Sequence, residues 1–492
     1  MAFFHGVRTT ESPTSIVPAA PCEAAMPVYF GVAPVHRTET LKNKINYPIL
    51  CNAYDDAVMA LGYDADWAKW TLCENIYAQF ALFATSPCVF VNVFDPSKHK
   101  TSVSTESVTL EKGECKAANK DVILGTLQVK DSTGSTTYQA GTDYTVAYDE
   151  DYYAVITRLS TGTIASDTAQ LTLTYDYADP SQVDKDDIIG GINAQTGDEE
   201  GLEVIERVYP VNRKVPGLIA ATGWSDDVEV AAVMAAKAGN INGLFRALAI
   251  LDIPVSGDGA PTIYTDVPSY KNEKNLVDTL EHVLWPMLGL GESEYRYSSQ
   301  FTALTQQVTQ SIGNGVPYVS PSNQNIQCDR LIVGEPGARR EVSLSLTKAN
   351  YLNENGITTA LNFSRGWTAW GNRNACYPGT TDTKDVFITN RLMFNWLEAE
   401  FILSLWQKVD APITRRLIET VTDSFNDRLN GLTSQGALLG GRIEFRKEDN
   451  PVSSVIDGKI AFKLYITPPP PAEEITGDFE LDPDYFDVLY SE

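Results

Sequence analysis

The chain has 492 residues, room for about three domains at roughly 150 residues each. It carries 38 basic and 64 acidic residues, a formal charge of −26, with 43% hydrophobic residues, 34 glycines and 26 prolines. That composition is globular, and the acidity argues against duplex nucleic acid and anionic lipid, both of which are bound largely through Lys and Arg.

The N-terminal 27 residues hold Pro13, Pro18, Pro21 and Pro27 among Thr, Ser and Ala, too few large apolar side chains to close a core, and read as an arm. No basic segment followed by an apolar one marks a secretory signal, so a cytoplasmic origin is expected. Val28 to Ala33 reads as a buried strand, Trp67 to Phe83 as a helix, and Cys88 to Phe94 as a second strand, an α/β rhythm. The longest apolar stretch, Phe80 to Phe94, is broken by Ser86, Pro87 and Asn92 and falls short of the roughly 20 residues that span a bilayer. The seven cysteines are odd in number and contain no C-x-x-C, so they read as small buried residues rather than a disulfide or zinc framework.

From 95 to 187 the pattern changes to period-2 alternation, as in Leu171, Leu173, Tyr175 and Tyr177, with turns at Thr133-Gly134 and Ser160 to Gly162. An all-β insertion is expected. Its 8 basic and 16 acidic residues give −8, a solvated decoration. The α/β rhythm resumes with a strand at Gly217–Ala221, a helix capped by Ser225 or Asp226 and running to Ala238, and a strand at Arg246–Asp252. Asn275–Trp285 and Phe301–Ile312 read as helices, the first stopped by Pro286.

Arg391 to Val409 reads as a buried helix, followed by a helix from Pro412 to Leu429 that Asn430-Gly431 ends. A β-pair follows, with Ile443 and Phe445 in one strand and Ile460, Phe462, Leu464 and Ile466 in the other. Pro468 to Pro471 then force polyproline geometry, so the last strand cannot simply fold back. Beyond them lie 21 residues with eight acidic groups and no basic one, able to reach on the order of 70 Å when extended. Phe479 and Leu481 alternate with Glu480 and Asp482 as in a strand, and Tyr485, Phe486 and Tyr490 are out of place in a purely solvated tail. Residues 339–450 carry 14 basic and 13 acidic groups, net +1, the one region that would not repel such a segment.

No catalytic constellation emerges. His5, His36, His99 and His282 have no partner motif, and neither a phosphate loop, a dinucleotide fingerprint, H-E-x-x-H nor G-x-S-x-G occurs. The acidic clusters at Asp55-Asp56, Asp149 to Asp151 and Asp184 to Asp187 lack cation-loop spacing. Trp367 and Trp370, beside Arg365 and Arg373, read as packed aromatics rather than base-stacking platforms. An α/β enzyme with an acidic β module, using His282 or Asp252, stays open as an alternative. Two extended ends flanking a folded body suit β-strand addition to a neighbour, and a repeated head-to-tail contact gives rings or helices.

Several segments carry a family resemblance: HGVRTTESPTSIVPAAPCEAAMPVYFGVAP (5–34), PGLIAATGWSDDVEVAAVMAAKAGN (216–240) with RALAILDIP (246–254), NGITTALNFSRGWTAWGNRNACYPGTTDTKDVFITNRLMFNWLEAEFIL (355–403), LGGRIEF (439–445) and DGKIAFKLYITPPPPAEEI (457–475). Together they resemble the tail sheath protein of contractile bacteriophages; 95–187 does not match, as a variable outer insertion would not. The resemblance implies a multidomain α+β and α/β fold: an arm (1–27), a split α/β body (28–94 and 188–345), an inserted all-β surface domain (95–187), an α+β C-terminal domain (346–471) and an acidic arm (472–492). It implies a helical homo-polymer around a tail tube, with tube, baseplate and terminator proteins as partners. No cofactor, enzymatic activity, direct nucleic-acid contact or membrane insertion is implied. Carried over by position, Gly6, Val7, Arg8, Thr9, Thr10 and Glu11 would form one donated strand. Phe479, Glu480, Leu481, Tyr485, Phe486, Val488 and Leu489 would form the other. The receiving sheet would use Arg442, Ile443, Glu444 and Phe445 with Ile460, Phe462, Leu464 and Ile466. Arg415, Arg416, Arg428, Gly431 and Gly440 would face the tube. The particle would be a virion tail assembled in a bacterial cytoplasm, or a phage-tail-like bacteriocin or injection particle.

Overall fold

The computed structural model describes residues 22–490. Val28, Tyr29 and Phe30 are apolar in succession, the pattern of a strand covered on both faces, and all three are buried in β1 (Pro27–Gly31). The chain then forms β2 (Pro48–Cys51), a helix at Thr71–Ile76 that widens into a π-helical turn over Tyr77–Leu82, and β3 (Cys88–Asn92). The expected helix from Trp67 to Phe83 is therefore shorter at its start and irregular at its end.

Residues 100–178 carry seven strands: β4 (Lys100–Thr109), β5 (Glu114–Lys120), β6 (Gln128–Asp131), β7 (Thr137–Tyr138), β8 (Tyr144–Tyr148), β9 (Tyr153–Arg158) and β10 (Gln170–Ala178). They form a four-stranded sheet, β4-β10-β6-β7, and a three-stranded one, β5-β9-β8. Leu171, Leu173 and Tyr175 alternate inward with Val129 and Ile156 in an apolar cluster that contains only residues of this module.

Back in the body come β11 (Leu218–Ala220), helix α1 (Val228–Gly239), β12 (Leu248–Asp252), β13 (Glu281–Leu284), helix α2 (Tyr297–Ser311), β14 (Ile357–Asn362) and β15 (Trp367–Trp370). The central sheet has eight strands in the order β2-β3-β1-β11-β12-β13-β14-β15. The six inner strands are parallel, and β2 and β15 close the two edges antiparallel. Alternate residues of β12 serve the two faces: Leu248 and Ile250 join Phe301 and Leu304 of α2, whereas Ala249 and Leu251 join Val230 and Met234 of α1.

Two local expectations fail here. Asn275–Trp285 is not a helix; its second half is β13, an inner strand. Glu281 and His282 hide the strand pattern, and both are buried because they find polar partners: Glu281 accepts from the Asp278 N–H, and His282 lies 3.1 Å from Asn374 Oδ1 and 2.9 Å from Thr358 Oγ1. The cap of α1 is Asp227, which accepts from the Glu229 N–H at 2.8 Å. Ser225 instead turns inward to accept from the Asp252 N–H.

Helix α2 is buried along nearly its whole length, and its first turn meets a buried carboxylate. Asp252 accepts both the N–H and the hydroxyl of Ser298. Glu74 next to it accepts the Arg296 N–H and the Ser299 hydroxyl, each at 2.7 Å. Burial pushes the Asp252 carboxyl up to about 6, against the Ser298 bonds, and pushes Glu74 up to about 7, against the Arg296 charge. The native chain thus holds these protons more tightly than the unfolded chain. The associated stability is complete below the ordinary carboxyl range and is lost as pH rises through about 6 for Asp252. Asp252→Asn should therefore gain on the parent by on the order of 1 kcal/mol between pH 5 and pH 8, read from urea denaturation at both pH values. Parallel pH curves would remove Asp252 as the source.

Candidate strand-exchange interface

The C-terminal region folds around helix α3 (Ile388–Leu405), which continues as one 3-10 turn over Trp406–Lys408. Helix α4 (Arg415–Ser434) follows. It begins at Thr414, whose hydroxyl accepts from the Leu417 N–H, so Pro412 lies ahead of the helix rather than in its first turn. It also runs through Asn430-Gly431, the expected end. Leu429 and Leu432 are both fully buried in one cluster with Met393 and Trp396, and that burial outweighs the ~1 kcal/mol that glycine costs inside a helix.

A two-stranded antiparallel sheet packs on α4: β16 (Gly440–Glu444) with β17 (Lys463–Thr467), in the register Ile443 opposite Leu464 and Gly441 opposite Ile466. Of the expected receiving residues, Arg442, Ile443, Glu444, Leu464 and Ile466 are in strands. Phe445 lies just after β16, and Ile460 and Phe462 lie before β17. Ile443 joins Val421 and Phe425 of α4 in a small core that also receives Phe462 and Leu464.

The two outer edges of this sheet differ. On β16, the Asn426 side chain accepts from the Ile443 N–H at 3.0 Å and donates to its carbonyl at 3.4 Å, as a neighbouring strand would. Ile443 therefore points its backbone away from β17, and Leu464 opposite it must point away from β16. Ile466, two residues on, has the same orientation. The donors and acceptors of Leu464 and Ile466 thus lie on the outer edge of β17, where none of the described residues pairs with them. Alongside runs a groove of about 650 Å³, lined by Leu464, Ile466, Phe394, Leu397 and Phe401 and closed at the far side by Leu244 and Phe245. An extended segment with apolar side chains on one face fits a backbone edge bordered by an apolar trough.

The chain leaves β17 through Pro468, which is buried, and Pro469 to Pro471. It then borders a cavity shared with Tyr318, Asn350 and Trp370 of the body, and Arg373 grips both carboxylate oxygens of Glu473 and stacks 3.9 Å over Tyr377. Beyond Glu473 the segment is exposed, Phe479 at 97% and Leu481 at 76%, with Tyr485, Phe486, Val488 and Leu489 also exposed. In the single chain no strand forms here; Pro483–Leu489 is a 3-10 turn. The other expected donor, Gly6–Glu11, lies outside the described residues. The described chain begins at Cys22, whose carbonyl accepts from Trp396 Nε1 of α3 at 2.9 Å.

Of the expected tube-facing residues, Arg415 and Arg416 are exposed, Arg415 carrying only a local pair with Glu419. Gly431 is exposed on α4, and Gly440 is half-buried in β16. Arg428 is turned inward: it donates to the buried Glu400 at 2.9 Å and lies 5.3 Å from the Trp396 ring centre. His282 and Asp252, the residues of the enzymatic alternative, are buried in separate networks. Asn426 and the Arg373–Glu473 pair were not foreseen, and nothing in their local sequence signals them.

The fold is that of contractile sheath subunits. It matches the sheath complex of an extracellular contractile injection system, PVC, in the contracted state, with a TM-score of 0.57 and 15% identity over 99% of both chains. It also matches the contracted helical sheath of the anti-feeding prophage, at 0.54 and 15% over 97% of this chain and 98% of that one. In sequence the chain is similar to tail sheath proteins. It is 28% identical to the tail sheath protein of Burkholderia phage BcepMu over 99% of this chain and 98% of the relative. It is 27% identical to a prophage major tail sheath protein of Pseudomonas aeruginosa over 58% of this chain and 70% of that one. No family model matches the chain.

The Arg428–Glu400 pair makes a stability test within this region. Arg428→Ala leaves a buried carboxylate alone and should cost roughly 3 kcal/mol, most of it recovered in Arg428→Ala/Glu400→Gln, by chemical denaturation. Arg415→Ala, on the exposed start of α4, should stay within about 0.5 kcal/mol of the parent.

Proposed function

We propose that the chain is the subunit of a contractile phage-tail sheath that polymerises helically around a tail tube by exchanging terminal β-strands. The observation that carries this reading is the pairing, in one chain, of a β17 edge that no described residue covers with a tail whose Phe479, Leu481, Tyr485, Phe486 and Leu489 are exposed. The tail of one subunit, Phe479 to Leu489, would add to β17 of the next, and the segment Gly6–Glu11 would supply a further strand from another neighbour. The β16 edge, closed by Asn426 at Ile443, is the less accessible of the two.

Such links are heterologous, so they propagate. They consist mainly of main-chain hydrogen bonds, which can persist while subunits rotate and translate about the polyproline connection. Contraction would then be a change between two packings of the same linked subunits, driving the tube through the host envelope for genome ejection. It calls for no catalytic residue. On this reading 28–94 with 188–370 form the body, which extends past the expected limit at 345 because β14 and β15 complete its sheet; 95–187 decorates the outer surface, and the chain from α3 to Pro471 forms the inner, linking domain. Arg415, Arg416 and Gly431 are the exposed candidates for the tube surface. Baseplate and terminator proteins would meet the ends of the polymer, and the assembled tail would belong to a virion built in a bacterial cytoplasm. The structural likeness to injection-system sheaths supports a second reading, a phage-tail-like bacteriocin or injection particle, with the same subunit chemistry.

Purified full-length chain should form tubes or long polymers in negative-stain electron microscopy, and a chain ending at Pro471 should stay monomeric with an unchanged far-ultraviolet spectrum. Normal polymers from the shortened chain would overturn strand exchange by the tail.

A further inference from the structure

The β module of residues 100–178 meets the body at more than its two connections. Between them, Asp121 reaches from the turn after β5 into a cluster on the body. Its Oδ1 lies 3.0 Å from His36 Nε2 and accepts from Arg37 Nε at 2.7 Å. Arg37 also donates to Asp64 Oδ2 at 2.6 Å and to the Tyr63 carbonyl at 3.0 Å, and its guanidinium lies 3.6 Å from the ring centre of Tyr152, again from the module. The side chains of His36 and Arg37 are 1% and 3% exposed and that of Asp121 14%. His36 packs against both rings of the Trp70–Phe94 pair. Asp121 itself is held firmly: its N–H donates to the Tyr152 carbonyl, its carbonyl accepts from the Ala178 N–H, and its φ is +59°.

A decoration tethered only through its connections would need none of this. Burying a guanidinium between two carboxylates is a poor way to gain stability, because desolvation consumes most of the attraction, but it fixes geometry: each hydrogen bond must be kept or a charge is left stranded. The module's apolar cluster closes without help from the body, so this contact is not part of its core. We infer that the Asp121 cluster is a pin that sets the orientation of the β module on the body, making the module a rigid projection whose outer face is presented in one direction. The two connections act as hinges that the pin keeps shut. They run over residues 93–99 and 179–184, joined by the Asp179 N–H to the His99 carbonyl.

The test uses the full chain and its Asp121→Asn and Asp121→Ala variants. Peptides covering the hinges, 93–99 and 179–187, and the cluster, 119–124, should exchange amide hydrogen roughly a hundredfold faster in Asp121→Ala. Tryptic cleavage at Lys98 and Lys185 should rise in step, while protection in β9, β10 and the central sheet stays at the parent level. Asp121→Asn, which keeps the shape and loses the charge, should show the same pattern at smaller amplitude. Hinge exchange and cleavage within twofold of the parent in both variants would overturn the pin. Loss of protection throughout the module in Asp121→Asn would overturn it too, by making the cluster part of the module's own fold.

Discussion

The position of β1 between β3 and β11 governs the rest of the architecture. Val28 is in register with Val89 on one side and Ile219 on the other, so the chain between Asn92 and Leu218 must leave at one end of a parallel sheet and re-enter at the other. Helices cover both faces of that sheet, and its inner strands are buried but for Asn362 at the end of β14. The excursion can therefore expand only outward, and it does so as a module with its own apolar cluster. After β15 the chain enters α3, whose Ile388 and Leu392 still pack with Leu248 and Ile250 of the sheet, and then α4, and its late segments meet its first described ones at Trp396 and Cys22.

The C-terminal sheet is too small to stand alone, since two strands are marginal without a packed face. Helix α4 supplies that face through Val421 and Phe425, and Asn426 supplies hydrogen bonds to one edge. The result is a sheet finished on one side and unfinished on the other. The four prolines then remove the chain's own candidate for the open side. A tail beginning directly after β17 could turn back along it; one that must first pass through an extended segment, and is gripped at Glu473 by Arg373, is carried away from it. Incompleteness here is built by specific residues.

How far the sequence could be read follows from how local each determinant is. Runs such as Val28 to Phe30 and Leu248 to Leu251 announce buried strands on their own, and the alternation of Leu171, Leu173 and Tyr175 announces a half-buried one. The proline run and the apolar residues of the acidic tail are equally plain. β13 is unreadable because its His282 is made tolerable by Asn374 and Thr358, some eighty residues away. Gly431 reads as a stop, yet the helix passes through it because Leu432 has a place to go. The open edge of β17 was invisible for the same reason: it depends on Asn426 satisfying Ile443, which no periodicity records. The Asp121 cluster draws on positions 36, 37, 64, 121 and 152, and none carries a signal in its own neighbourhood.

Charge bears on how such subunits could pack. The segment after Pro471 holds eight of the acidic groups that bring the chain to −26, and within a Debye length of about 8 Å at physiological ionic strength like charges repel strongly. Residues 339–450 are close to neutral, and the groove beside β17 is lined mainly by apolar side chains, with the Arg246–Glu398 pair at its rim. A tail that lands there gives up little electrostatic energy, whereas one that lands on the rest of the chain, outside 339–450 and the tail itself, approaches a net charge of −19. On the proposed reading, repulsion between bodies and attraction between ends act on different parts of the subunit. The bodies are then held together by main-chain hydrogen bonds made on a receiving region that is close to neutral. That division lets a polymer stay connected while the distance between bodies changes, because the interactions that resist close packing are not those that hold the chain of subunits together.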